Sequence, residues 1–355
     1  MTPNLNRRSA GGSIDRDRVI RFEFNGKPYR GYAGDTLASA LLANGVRVVA
    51  RSFKYHRPRG VIGTGFEEPN ALVQVLGKDE EPNVQATCLP LSEGLSAKSQ
   101  NCWPGPEFDL GGINDRISRL IPAGFYYKTF MWRPWNSYAQ VIRKAAGLGE
   151  IPKVRENGHY EKRFYHCDVL IVGAGPSGLI AGLVAGQSGA RVLLVDDQCH
   201  PGGRLLSEMA EVDGQSALQW SQTTTEEIDS LPNVRRLANS TVIGYYDHNM
   251  LTVIERDPVQ SWVRERFWRV RAKRVIIATG AVERPLVFPN NDRPGTMLAS
   301  AARVYSNRFA VKLGRCIVVI TNNNSAYEAA FDLVRMEQNV KAIVDTRQTI
   351  DDELL

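Results

Sequence analysis

"CDVLIVGAGPSGLIAGLVAGQSGARVLLVDD" (residues 167 to 197) reads as a buried strand, a glycine turn, a long helix rich in Ala, Gly and Leu, and a second strand ending in two acids. This is a complete β-α-β unit, the building block of a parallel sheet. Gly173, Gly175 and Gly178 form a GxGxxG directly after "VLIV", with Pro176 and Ser177 inside it. Each glycine has its own physical reason. Gly173 permits the tight turn, Gly175 lets the backbone approach a pyrophosphate without a Cβ in the way, and Gly178 lets the helix press on the strand. The helix N-terminus supplies free N–H groups and a partial positive charge for phosphates. Asp196 and Asp197 follow the loop by about 20 residues, with Asp196 at the standard position, where an acid accepts hydrogen bonds from ribose hydroxyls and repels a 2′-phosphate. The pattern therefore favours FAD or NAD over NADP.

Two further segments accompany this unit. "PGGR" (residues 201 to 204) follows the acidic strand, and "VIIATGAVERP" (residues 275 to 285) is a strand ending in Ala278-Thr279-Gly280. In this order the motifs resemble the two-dinucleotide-binding-domain flavoprotein superfamily, in which the glycine doublet and the ATG strand flank the dinucleotide. The resemblance adds Gly202, Gly203, Arg204, Leu205, Ala278, Thr279 and Gly280 to the candidate cofactor-binding residues.

The β-α-β outline recurs once, in "CIVVITNNNSAYEAAFDLVRMEQNVKAIVDT" from Cys316, with its unit spanning 316–345. Its turn has no glycine; Asn322, Asn323 and Asn324 stand there instead. Side chains at Asn322 and Asn324 obstruct a pyrophosphate, whereas asparagine tolerates the left-handed turn. The expectation is a structural copy that has lost pyridine-nucleotide binding and left Asp345 an orphaned ribose acid. The alternative is a pocket for a different ligand, such as a flavin at a subunit boundary.

The whole chain of 355 residues is 43% hydrophobic and 23% charged, which suits two or more domains with buried cores. No apolar run approaches the ~20 residues of a membrane helix, and the N-terminus lacks an apolar signal region, so the expected location is the cytoplasm, with no membrane partner. The net charge is +6, and "RSFKYHRPRG" (residues 51 to 60) reads as a solvated face or subunit contact, with no nucleic-acid motif beside it. Cys88, Cys102, Cys167, Cys199 and Cys316 lack CxxC spacing, which reads as plain buried thiols and no metal site. His56, His159, His166, His200 and His248 are scattered, so no catalytic residue is assigned.

Upstream, residues 1–18 read as a flexible tail that orders against a partner. Residues 19–85 carry a hairpin around Asn25-Gly26, a helix in "GDTLASALLANG" capped by Asp35 or Thr36, and a strand in "NALVQVLG", the order of a β-grasp domain. Residues 86–165 form an aromatic, Pro-rich connection expected to pack as an interdomain core or against another chain. Residues 166–355 form the dinucleotide-binding domain. The chain stops shortly after the second unit's last strand, so the fold is expected to be incomplete at the C-terminus, a piece of a longer polypeptide.

"GDTLASALLANGV", "RSFKYHRPRG", "EEPNALVQV", "LSEGLSAKSQNCWP" and "VDDQCHPGGRL" together resemble the α subunit of heterotetrameric sarcosine oxidase across residues 19 to 355. The implied fold is α/β, a ferredoxin-like β-grasp domain followed by a Rossmann-type, glutathione-reductase-like domain. Plant-type cluster ligation needs closely spaced thiolates, so the first domain is expected to be clusterless, without an iron–sulfur cluster. The resemblance implies oxidative demethylation of sarcosine to glycine and hydrogen peroxide, with the one-carbon unit passed to tetrahydrofolate. It implies NAD in this chain's Rossmann site with FAD as the alternative, FMN at the boundary with the β subunit, and β, γ and δ subunits as partners. Relatives with a similar α subunit are amino-acid dehydrogenases of proline or hydroxyproline type. An assembly module with a purely structural nucleotide remains a third reading.

Overall fold

The computed structural model describes residues 5–77, 80–120, 124, 129, 131, 132, 134–152, 158–256 and 262–350. The chain divides into two compact units, Met1–Arg155 with Glu283–Leu355, and Glu156–Val282. Among the described residues no helix is long and apolar enough to cross a membrane.

The first unit opens with strand β1 (Asp15–Phe24), which turns back into β2 (Lys27–Ala33). Asn25 and Gly26 have φ of 53° and 74°, the turn geometry that matches strand twist and makes Asn-Gly the favoured pair. Helix α1 (Leu37–Ala43) is capped by Thr36: its hydroxyl accepts from the Ser39 N–H, and the Ser39 hydroxyl accepts from the Thr36 N–H. Leu37, Ala40 and Leu41 are wholly buried against the sheet. Strands β3 (Leu72–Leu76), β4 (Glu81–Gln85) and β5 (Ser96–Ser99) complete the sheet in the order β2-β1-β5-β3-β4. The domain thus runs past the expected boundary at 85. The stretch "SAKS" has no apolar alternation to announce a strand; pairing with β1 and β3 places it.

Residues 5–18 are not a tail awaiting a partner. The Arg7 guanidinium donates to both Asp35 carboxylate oxygens at 3.0 and 2.7 Å and to the Phe309 carbonyl at 2.6 Å, with both side chains excluded from solvent. An arginine in a polar run reads as solvated because its partners lie 28 and 302 positions away. Likewise the basic cluster is an internal knot: Arg57 and Arg59 pair with Asp292, and the buried His56 Nδ1 lies 2.7 Å from Asp109.

The second unit holds β6 (His159–Val172), helix α2 (Pro176–Gln187), β7 (Val192–Val195), helix α3 (Ala217–Ser230), β8 (Val234–Leu237), β9 (Ser240–Tyr246), β10 (Met250–Arg256) and β11 (Val263–Ile277). The sheet order is β8-β7-β6-β11-β10-β9, parallel through β11 and antiparallel beyond it. Ile171, Leu179, Val192, Leu194 and Ile228 form a core between the parallel strands and helices α2 and α3. Leu170, Leu193, Val253, Trp268 and Val270 form a second core on the other sheet face.

From Glu283 the chain belongs to the first unit again, where the expectation had one domain over 166–355. Helix α4 (Ala299–Asn307) contributes Ala301 and Tyr305 to the core that contains Phe24 and Leu37, and the Tyr305 hydroxyl donates to the Gly63 carbonyl at 2.9 Å. Strand β12 (Ile317–Thr321), helix α5 (Ser325–Arg335) and β13 (Val340–Asp345) then form the second β-α-β unit as a two-stranded parallel sheet. The apolar stripe that recruits α4 is short and follows a complete Rossmann outline, so periodicity gave no boundary at 283.

In the connecting segment, residues 121–123, 125–128, 130, 133 and 153–157 lie outside the described residues. Trp103, Phe108 and Trp132 are 68%, 69% and 95% exposed, so an internal core is not their environment.

Arg7→Ala leaves the Asp35 carboxylate buried without its cation and should lower unfolding free energy by roughly 3–5 kcal/mol in chemical denaturation. Arg7→Met combined with Asp35→Leu should recover only part of that loss, because the Tyr32 N–H and the Phe309 carbonyl lose their partners as well.

Candidate dinucleotide-binding site

Backbone geometry builds the loop between β6 and α2. The Gly173 N–H donates to the Val195 carbonyl at 2.7 Å, and Gly173 has φ of 101°. A Cβ there would lie 2.4 Å from the Ala278 carbonyl oxygen, so the first glycine touches the ATG segment directly. A Cβ at Gly178 would lie 1.8 Å from the Gly173 carbonyl oxygen, which no side chain tolerates. Gly175 is different: nothing stands within 4 Å of a Cβ built there. Packing does not require that glycine, and the open space before it is where a pyrophosphate would lie. Gly175 is the N-cap of α2 with no side-chain cap, and Pro176 occupies the first turn with a missing N–H that would have been unused. The amides of Ser177 and Gly178 have no intrahelical acceptor and point out of the N-terminus.

The glycine doublet reaches the same loop. The Gly202 N–H donates to the Ala174 carbonyl at 2.8 Å, and a Cβ at Gly203 would lie 3.0 Å from the Gly175 Cα. Gly202 and Gly203 have φ of 129° and 55°. Gly203 starts a short helix that continues through Arg204 and Leu205; Leu205 is buried in the core beside α2, and Arg204 is exposed with its guanidinium 3.5 Å from Glu208. The Ala278 N–H donates to the Val172 carbonyl at 2.8 Å, while Thr279 and Gly280 are exposed. Every sequence-selected segment therefore converges on one end of the second unit's sheet.

The two acids divide their work in a way spacing did not show. One Asp196 oxygen accepts from the Ala174 N–H and the other from the Gln198 N–H at 2.8 Å, so its carboxylate is turned onto the loop. Burial pushes its carboxyl above the usual range, against the pull of those amides. Asp197 is exposed, 3.4 Å from the Gln198 side-chain nitrogen. Asp197 thus has the solvent-exposed carboxylate, and Asp196 braces the turn. Sequence reasoning missed Ala174, which links Asp196 through its N–H and Gly202 through its carbonyl. An alanine at an x position of the motif carries no signal.

The asparagine turn satisfies itself. The Thr321 hydroxyl accepts from the Asn323 N–H at 3.1 Å, and the Asn323 side-chain oxygen accepts from the Ser325 N–H at 3.1 Å and its hydroxyl at 2.6 Å. Asp345 is not orphaned. Arg347 Nη2 donates to it at 2.7 Å, the Tyr327 hydroxyl donates at 3.1 Å, and Arg347 Nη1 reaches the Asn324 oxygen at 2.7 Å. The Arg347 hydrogen bonds hold the Asp345 carboxyl down to about 2. The cysteines are not uniformly buried: Cys199 and Cys316 are exposed, while burial pushes the Cys102 and Cys167 thiols up to about 11.

Comparison with known proteins places this geometry. Residues 167–353 match the family model described as pyridine nucleotide-disulphide oxidoreductase, and residues 17–102 match the 2Fe-2S iron-sulfur cluster binding domain. The chain is 50% identical over 348 residues to the sarcosine oxidase subunit alpha of Rhizobium meliloti (strain 1021), covering 95% of this chain and 35% of that protein. It is 37% identical over 354 residues to the sarcosine oxidase subunit alpha of Corynebacterium sp. (strain P-1), covering 96% and 32%. The resemblance read from the sequence is borne out, and the chain spans about a third of the length of these curated relatives. Among solved structures, L-proline dehydrogenase from P. horikoshii shares the fold with a TM-score of 0.65 at 21% identity, covering 99% of this chain and 58% of that one.

The match over residues 17–102 corrects the expectation of a clusterless domain: the β-grasp unit belongs with cluster-binding domains. Its thiols in that range are Cys88 and Cys102, and among the described residues no group of three or more His, Cys, Asp or Glu side chains is gathered to hold a metal ion. These residues do not fit four-thiolate ligation, so no chemical step is routed through a cluster.

Gly175→Ala should fold with a melting temperature within a few degrees of the parent while weakening dinucleotide binding about tenfold or more, ~1.4 kcal/mol. Gly178→Ala should instead lose the folded second unit, as read by circular dichroism. An Asp345 carboxyl lowered from 3.8 to about 2 adds stability above pH ~4 that disappears as pH falls through about 2. Asp345→Asn should remove that acid-side dependence from an unfolding profile.

Proposed function

We propose that this chain, which belongs to the pyridine nucleotide-disulphide oxidoreductase family, is the dinucleotide-binding portion of the α subunit of a sarcosine-oxidase-type complex. The complex oxidises the N-methyl amine, giving glycine, hydrogen peroxide and a one-carbon unit for tetrahydrofolate, and this chain assembles with β, γ and δ subunits. The carrying observation is the 50% identity across 95% of the chain, joined to a glycine loop whose middle position is open.

The bound group is FAD or NAD, which supplies two-electron redox capacity or an anchored adenine dinucleotide. The chain's own residues do the holding. The Ser177 and Gly178 amides and the positive end of α2 bind the pyrophosphate, Asp197 accepts from a ribose hydroxyl, and Gly202 and Gly203 let the following backbone close over the loop. Asp197 also disfavours a 2′-phosphate. The second β-α-β unit has its turn amides and its acid committed to Thr321, Asn323 and Arg347, which supports a role as scaffold without a second dinucleotide. On this reading the chain alone does not turn over sarcosine.

Denaturing the purified chain and weighing the released nucleotide tests the first part. One FAD or NAD per chain is expected; NADP, no nucleotide, or two dinucleotides per chain after saturation would refute it. Sarcosine-dependent peroxide should arise only when the remaining subunits are added, and proline-dependent dye reduction in its place would move the assignment to the dehydrogenases.

A further inference from the structure

We propose that the exposed patch of the second unit's sheet formed by the first half of β6 and the adjoining part of β11 is a docking surface for an acidic face of a partner subunit. The proposal rests on the subunit reading above. In the register of these parallel strands Phe164 lies beside Arg269, and His166 beside Arg271. Side chains paired in register share a sheet face, so these four point the same way, with Lys162 two positions before Phe164. All five are exposed, Phe164 by 72%. Their neighbours Tyr165, Trp268 and Val270 point oppositely and pack in the core. Along this stretch of β6 and β11 one face thus packs in the core with Trp268 and Val270, while the opposite face lies bare to solvent or a partner.

The charge on that face is one-sided. Among the described residues Lys162, Arg269 and Arg271 make no ion pair, whereas nearby Lys273 is 2.9 Å from Asp168 and Arg256 is 3.4 Å from Glu265. Three uncompensated cations remain. Arg269 lies over the Phe164 and Phe267 rings at 5.7 and 5.9 Å, a stack that holds its guanidinium in place and lowers the ordering cost of pairing with a carboxylate. An exposed aromatic beside a ring-stacked guanidinium and a second arginine is the composition of an interface centre, in which aromatics and arginine are enriched. Carboxylates on the opposing surface supply the complementary charge, and an apolar contact on Phe164 supplies the desolvated part.

The test uses the co-expressed complex. Arg269→Glu with Arg271→Glu should weaken retention of the other subunits about tenfold or more, and wild-type assembly should weaken as salt rises. Melting temperature and bound nucleotide should be unchanged, because neither side chain enters the core or the glycine loop. Photoreactive p-benzoylphenylalanine in place of Phe164 should crosslink to an Asp- or Glu-rich stretch of another subunit. Assembly at full affinity with reversed charges and no crosslink at position 164 would overturn the docking surface while leaving the subunit reading intact. A crosslink to a second copy of this chain or to nucleic acid would also overturn it. If the co-expressed subunits never associate, the subunit reading fails and this proposal fails with it.

Discussion

A methyl group at position 178 would lie 1.8 Å from the Gly173 carbonyl oxygen, and the glycine-turn end of the second unit depends on that closeness. With hydrogen in place of a side chain, α2 reaches β6 and brings Leu179 into the core with Ile171 and Leu194. The turn before the helix is then short enough for Ala174 to meet Asp196 on one side and Gly202 on the other. The space at Gly175 is what remains when those contacts are made. An open cradle here is a by-product of tight packing around it.

Two β-α-β units in one chain use the same frame oppositely. At the first, the helix begins at a glycine without a side-chain cap, so the first-turn amides stay available. At the second, Thr321 accepts from the Asn323 N–H of the turn and Asn323 from the Ser325 N–H that starts α5, and Arg347 answers the acid at the strand end. Free donors cost stability unless something binds them, and capped donors give stability without a ligand. The asparagines are the sequence trace of that exchange.

The glycine loop, the Asn-Gly hairpin and the Thr36-capped helix were legible because each depends on residues within a few positions of one another. Arg7 with Asp35 and Phe309 was not, since nothing local marks an arginine in a polar run as buried. The return of the chain to the first unit at Glu283 was hidden for a related reason: α4 completes a core formed from residues more than 200 positions earlier. In the candidate site all the selected segments converge, but the division between Asp196 and Asp197 depends on which carboxylate meets the Ala174 amide. Spacing alone favours Asp196, the acid whose carboxylate is turned onto the loop. The likeness of the β-grasp unit to 2Fe-2S cluster binding domains was masked by a cysteine count that offers only Cys88 and Cys102 in that range.

Strands β6 and β11 run side by side from His159 opposite Val263 to Val172 opposite Ile277. At ~3.3 Å per residue the 14-residue strand β6 is roughly 45 Å long, one stiff beam without a loop to absorb movement. One end carries the antiparallel meander and the other ends at the glycine turn and Ala278. The meander and the glycine turn are therefore joined by two continuous strands, a geometry in which a displacement of one would reach the other as leverage rather than as a relay of side-chain rearrangements.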